Sequence, residues 1–179
     1  MIRRMTQALP LIADCGLRDM EAIQAIYAHY VTHSLATFET EPPTTSQMTL
    51  RREEIIKGGH PYLAAHLDGR LVGYAYASAY RARAAYRFTV ENSVYVAPDA
   101  QRAGIGRALM TALIDRCVWA KYHTMVAVIG DSANAPSVQL HAAMGFAHVG
   151  TLVGVGRKFD RWVDTVIMQR DLATQPGVA

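Results

Sequence analysis

Hydrophobic and polar residues change their period several times along the chain, and each change predicts an element. The run Leu11-Ile12-Ala13-Asp14-Cys15 is short and apolar and predicts a first strand. Apolar positions then fall at Met20, Ile23, Tyr27, Tyr30 and Val31, with helical spacing, and Asp19 stands where an N-cap belongs. Residues 38–45 carry Pro42-Pro43 and predict a loop. A second helix is expected over 46–57, stopped by Gly58-Gly59. Segments 61–68 and 70–79 flank Asp68-Gly69, a strong hairpin signal. Residues 80–87 are a basic and aromatic connection, and 88–96 form a strand rich in β-branched residues that ends before Pro98. A helix over 105–122, a buried strand over 125–129 and a short helix over 135–144 closed by Gly145 follow. The remainder, 146–170, reads as a β-hairpin with a wide loop around 154–160.

This order gives an α/β (α+β) fold, a mixed sheet covered by helices. No linker divides the chain, so residues 11–172 are expected to form one domain, with a loose leader at 1–10 and a flexible tail at 173–179. The 179 residues are 51% hydrophobic and 18% charged, which places the chain among globular proteins. No apolar run approaches the ~20 residues that span a bilayer, and the start lacks a signal-peptide pattern, so the cytoplasm is the expected location and no membrane partner is implied. The net charge of +3 comes from scattered basic residues and argues against a nucleic-acid-binding module. One local cluster stands apart: Arg81, Arg83 and Arg87. Cys15 and Cys117 have no metal or redox spacing and read as reduced core residues.

Gln101-Arg102-Ala103-Gly104-Ile105-Gly106-Arg107 lies between a strand and a helix. Such a loop turns several backbone N–H groups into one concavity, and the helix N-terminus adds partial positive charge. It suits a pyrophosphate. A dinucleotide fingerprint would need a glycine near Leu109 and an acid ~20 residues on, and a P-loop needs Gly-Lys-Ser/Thr; neither is present. By itself the Gly-x-Gly pair is equally a tight strand–helix turn.

In its wider context the sequence resembles the GNAT superfamily of acetyltransferases, whose signature Gln/Arg-x-x-Gly-x-Gly/Ala follows a strand. Within it, residues 89–96 (Thr-Val-Glu-Asn-Ser-Val-Tyr-Val) resemble the phosphinothricin and methionine sulfone/sulfoximine acetyltransferases. So do Phe38-Glu39-Thr40-Glu41-Pro42-Pro43, Asn134-Ala135-Pro136-Ser137 with Leu140-His141, and Lys158-Phe159-Asp160-Arg161-Trp162. The likeness spans about residues 11–172. It implies a mainly antiparallel central sheet with helices on both faces, acetyl-CoA as co-substrate, no metal, and a homodimer. It also implies that backbone groups of Val94, Tyr95 and Val96 pair with the pantetheine arm, that 102–107 hold the pyrophosphate, and that Asn134 and Ser137 contact the arm beyond it. An N-cap role for Asn134 is compatible with that.

Acetyl transfer to an amine requires a base to remove a proton from the ammonium form. Glu91 is the candidate. Strand alternation puts it with Ser93 and Tyr95 on one face, with Val90, Val94 and Val96 on the other. An ion pair with an arginine such as Arg87 is the competing reading of the residue; the resemblance favours the base. Many superfamily members carry a tyrosine as general acid where this chain has His141, which is therefore a candidate acid, its alternative being a packed, hydrogen-bonded histidine. His29 and His33 lack a third ligand or an HExxH pattern. Cys117 falls at core spacing with Leu109 and Leu113, so it reads as core and the reaction is expected to pass through a ternary complex.

The acceptor is a small-molecule amine. Arg81, Arg83, Tyr80 and Tyr86 lie just before the Glu91 strand and are either a solvated basic loop or a clamp for a carboxylate or phosphinate. The resemblance supports Arg83 and Tyr86, with Phe38 and Glu39 as the opposing wall. An anionic amino acid fits such a site better than a polycationic aminoglycoside does. A protein or peptide acetyltransferase on the same scaffold is the alternative, with an open acceptor site as its mark.

Overall fold

The computed structural model describes residues 9–173. Apart from residues 9, 10 and 173, the expected leader and tail lie outside them. The elements in chain order are β1 (Leu11–Asp14), α1 (Met20–His33), α2 (Thr45–Lys57), β2 (Tyr62–Leu67), β3 (Arg70–Ala79), β4 (Thr89–Val96), α3 (Ile105–Trp119), β5 (Thr124–Gly130), α4 (Ala135–Ala143), β6 (Ala147–Lys158) and β7 (Arg161–Asp171). Single 3₁₀ turns precede α1, β4 and α3.

The strands make one seven-stranded sheet in the order β1-β2-β3-β4-β5-β7-β6. Among the described residues β4 and β5, joined by the crossover helix α3, are the one parallel pair of neighbours; α4 makes a second crossover from β5 to β6, which leaves room between them for β7. The β2–β3 hairpin turns on Asp68 and Gly69, whose φ values of 50° and 79° are the left-handed pair that suits a tight hairpin. A capping box opens α2: Thr44 Oγ1 accepts from the Gln47 N–H at 3.2 Å, and Gln47 Oε1 accepts from the Thr44 N–H at 2.8 Å.

The helices cover both faces. Tyr27 and Tyr30 of α1 meet Tyr95 of β4 edge-on, each at 5.2 Å, and Tyr95 stacks on Tyr74 of β3. On the other face α3 buries Leu109, Met110, Leu113 and Cys117 completely. Each such large side chain contributes roughly 1.5–3 kcal/mol through burial. α4 closes this face, with His141 reaching β4 and Leu140 lying against Gly106 of α3.

Two local expectations are corrected. Asp19 holds the N-cap position of α1, but its side chain does not cap the helix; Oδ2 instead accepts from the Gly16 N–H at 2.7 Å, and Oδ1 meets His66 Nε2 at 3.0 Å. The acid serves the 3₁₀ turn before the helix because His66 on β2 draws it that way. The wide loop at 154–160 is not a loop. β6 runs through it to Lys158, with a bulge between Leu152 and Gly156, and the chain reverses at Phe159 and Asp160, both with positive φ. The glycines mark the bulge and not a break in the strand.

Candidate functional site

β4 and β5 pair only from Thr89↔Thr124 to Asn92↔Ala127. Beyond that β5 continues along β7, while Ser93 to Val96 keep β3 alone. The Ala97 N–H donates to the Val72 carbonyl at 2.8 Å, so the backbone groups of Val96 and Val94 point the other way, into the opening. Those of Tyr95 point to β3 by the same alternation. Tyr30 Oη donates to the Val96 carbonyl at 2.8 Å and is itself held by Gln101 Nε2 at 3.2 Å. Gln101 thus braces the strand edge.

The loop 102–104 then carries the chain over the top of the opening. Arg102 and Gly104 have φ of 62° and 78°, and the reversal they make presents the first turn of α3. The first intrahelical bond is Ala108 N–H to Gly104 C=O at 3.0 Å, so the N–H groups of Ile105, Gly106 and Arg107 precede the ladder. The two glycines serve different ends. A Cβ on Gly104 would meet nothing within 4 Å, so its backbone conformation is what demands glycine. A Cβ on Gly106 would come within 3.2 Å of Leu140 Cδ2, so it also lets α4 lie close against α3. Asn134 caps α4, its Oδ1 accepting from the Ser137 N–H at 3.4 Å, and Nδ2 donates to the Gly130 carbonyl. Strand-edge amides that lead to a helix N-terminus fit an elongated ligand with an amide arm and a diphosphate.

Glu91 sits at the root of the opening, half-buried, on the α1 face with Ser93 and Tyr95. Burial raises its pKa above the usual carboxylate range, and the charge of Arg81 pulls in the opposite direction. Arg87 lies over the Phe88 ring at 4.4 Å and donates to the Ala84 carbonyl, so Arg81 takes the place foreseen for Arg87. Arg83 opens the 3₁₀ turn 84–86, and Tyr86 meets Tyr80 edge-on at 5.8 Å. Both are exposed. In the segment after α1, Thr37 Oγ1 bonds Tyr27 Oη at 2.9 Å, and Tyr27 donates to Glu39 Oε1 at 3.0 Å. Arg51 grips the same carboxylate at 2.6 and 3.3 Å.

His141 is brought to β4 and buried there. Its Nδ1–H donates to the Ser137 carbonyl at 2.8 Å, and its Nε2 accepts from Asn92 Nδ2 at 2.9 Å. Burial lowers its pKa, which favours the neutral ring, and both nitrogens have partners. Cys117 is buried and its thiol is pushed up to about 12, which suits a core residue. His29 and His33 stack at 4.7 Å on α1.

A family profile described as the acetyltransferase (GNAT) domain matches residues 12–167. The chain belongs to this family. A phosphinothricin N-acetyltransferase from Alcaligenes faecalis is 52% identical over 86% of this chain and 78% of that protein. An L-methionine sulfoximine/L-methionine sulfone acetyltransferase from Salmonella typhimurium is 38% identical over 89% of this chain and 90% of its own length. Among solved structures, a GNAT superfamily phosphinothricin acetyltransferase from Sinorhizobium meliloti in complex with AcCoA superimposes with a TM-score of 0.90 at 41% identity, covering 95% of this chain and 94% of that one.

In this GNAT chain several residues near the site went unread in the sequence. Asn92 faces α3 and α4 from the middle of β4 and meets His141 and Met110. Gly156 and Lys158 of β6 pack on the segment that carries Phe38. A buried asparagine in an apolar strand and a Gly-Val-Gly inside a β-branched run were the available signals. Arg51, on the polar α2, gave none.

Proposed function

We propose that this acetyltransferase moves the acetyl group of acetyl-CoA to the amino group of a small amino acid or analogue of the phosphinothricin or methionine sulfone/sulfoximine type. One observation carries the reading: Glu91 stands where β4 and β5 part, beside the strand edge whose free amides face the opening. Acetyl-CoA supplies the activated acyl group. Val94 and Val96 orient its amide arm, residues 102–107 receive its diphosphate on the first turn of α3, and Asn134 and Ser137 border the arm. Tyr95 contributes by packing.

Glu91 takes the proton from the acceptor ammonium, directly or through water. The freed amine attacks the carbonyl carbon, the C–S bond breaks, and the thiolate leaves, the excess proton on nitrogen passing to the thiolate or to water. Burial raises the pKa of Glu91, the direction that makes a carboxylate a stronger base. The reading gives His141 a positioning role through Asn92, because its Nδ1 hydrogen is bound to a carbonyl and its Nε2 has none to give. Arg83, with Arg81 and Tyr86, grips the acidic group, and Phe38 and Glu39 form the opposite wall.

Leu152, Val153, Val155 and Trp162 are all exposed on the β6–β7 hairpin, and this exposed apolar surface supports a homodimer. Light scattering checks this against twice the 19.7 kDa of one chain. No helix among the described residues is long and apolar enough to cross a membrane. Dependence on acetyl-CoA supports a cytoplasmic location.

A screen of acetyl-CoA turnover across amino acids, their sulfone, sulfoximine and phosphinate analogues, and short peptides tests the assignment. Highest kcat/KM for the acidic or tetrahedral analogues is expected. Faster turnover of peptides would replace the reading with a protein acetyltransferase.

A further inference from the structure

The segment between α1 and α2 is seated by the far side of the sheet. Gly130 ends β5, and a Cβ there would stand 2.5 Å from the Leu35 carbonyl oxygen. Gly156 sits just past the β6 bulge, and a Cβ there would stand 1.9 Å from Phe38 Cε1 and 2.3 Å from Cδ1, overlapping the ring edge. The φ of Gly156 lies outside the left-handed region, unlike that of Gly154 at +60°. Its backbone would accept any residue, so the Phe38 ring is what forbids a side chain.

Lys158, on the same face of β6 two residues on, is only 3% exposed. Its Nζ donates to the carbonyls of Ser34 and Thr37, both at 2.8 Å. Burial lowers its pKa, and Glu39 acts on it through space only. A buried ammonium held by two carbonyls is a costly way to hold a loop unless the loop's place matters. Carbonyl capping of the end of α1 accounts for the Ser34 contact but not for Thr37, which lies beyond the helix and next to Phe38.

We infer that Gly156 and Lys158 are positioning residues that set acceptor specificity: the β6 bulge seats the Phe38 ring and thereby sets the room for the acceptor's side chain. Gly156 provides the space for the ring, and Lys158 pins the backbone just before it. The inference rests on the acceptor site proposed above, with Phe38 as its wall.

The test measures kcat/KM for three acceptors that differ in reach, the sulfones of S-methylcysteine, methionine and ethionine. Wild type, Gly156→Ala, Phe38→Ala and the double variant are compared, with acetyl-CoA affinity from calorimetry. Gly156→Ala is expected to change the ratio between the shortest and longest acceptor at least fivefold while acetyl-CoA affinity stays within twofold. In the Phe38→Ala background the same substitution should change the ratio less than twofold, because the ring it displaces is gone. Lys158→Met should raise the acceptor KM with little change in kcat, and Lys158→Arg should recover part of the loss.

An unchanged ratio in Gly156→Ala, with Phe38→Ala shifting it, overturns the inference and leaves the acceptor site standing. Equal shifts in both backgrounds overturn it too, since the effect would not pass through Phe38. No shift in Phe38→Ala removes the acceptor site itself. Should Gly156→Ala fail to fold alone, folding of the double variant supports the seating, and failure of both overturns it.

Discussion

Asn92 Nδ2 donates to His141 Nε2 at 2.9 Å, tying the middle of β4 to the last turn of α4. The bond is buried, and its partner bond from His141 Nδ1 to the Ser137 carbonyl is internal to the helix. Ser137 and the Asn134 cap are thereby fixed relative to the strand edge that faces the opening.

This relationship predicts that His141 is structural first. His141→Gln should lower stability by ~1–3 kcal/mol, the cost of disturbing a buried polar pair. It should lower kcat less than tenfold and leave the alkaline limb of the pH–rate profile in place. A lost alkaline limb in stopped-flow or steady-state profiles would restore His141 as the proton donor.

Glu91→Gln keeps the shape of the side chain and removes its basicity. The expected fall in kcat is ~10²–10⁴-fold, the usual range for a general base. The unprotonated carboxylate is the active form, so its raised pKa lifts the acid limb of kcat/KM to higher pH. Arg81 opposes that shift, so Arg81→Met should move the limb further upward in pH, and Arg81→Lys should bring it back. A limb that moves downward, or does not move, would show that another group titrates.

Arg83→Ala should cost ~1.5–3 kcal/mol in kcat/KM toward an acidic acceptor, as the loss of a charge-assisted contact requires. Toward the neutral amide analogue the loss should be small. Lysine at this position should restore only part, since it lacks the planar fork. Equal losses for both acceptors would return Arg83 to the solvent.

Gly106→Val should weaken acetyl-CoA binding at least several-fold. The new side chain crowds the first turn of α3 and presses Leu140, which already lies 3.2 Å from the Cβ position. Gly104→Ala meets no neighbour, but it forces alanine into the left-handed region at ~1–2 kcal/mol. Calorimetric titration with CoA, paired with melting curves, separates the two: unchanged affinity in both folded variants would remove the loop from the site.

The sequence alone determined the elements and their order. Apolar spacing gave α1 from Met20, Asp68-Gly69 gave the β2–β3 turn, and the glycine pair marked the start of α3. These signals are local: each depends on residues a few positions apart, and the chemistry of turns and periods acts over that range. Alternation along β4 separated Glu91 from Val90 for the same reason, and resemblance named the rest of the site. The tertiary structure decided what depends on distant partners. Asp19 turned to Gly16 and His66, Arg81 and not Arg87 came to act on Glu91, and the glycines of 154–156 became a bulge within a strand. Lys158 meets Ser34 across 124 residues of chain. No pattern in either segment announces the other, because the need for a glycine at 156 exists only once folding has laid the Phe38 ring upon it.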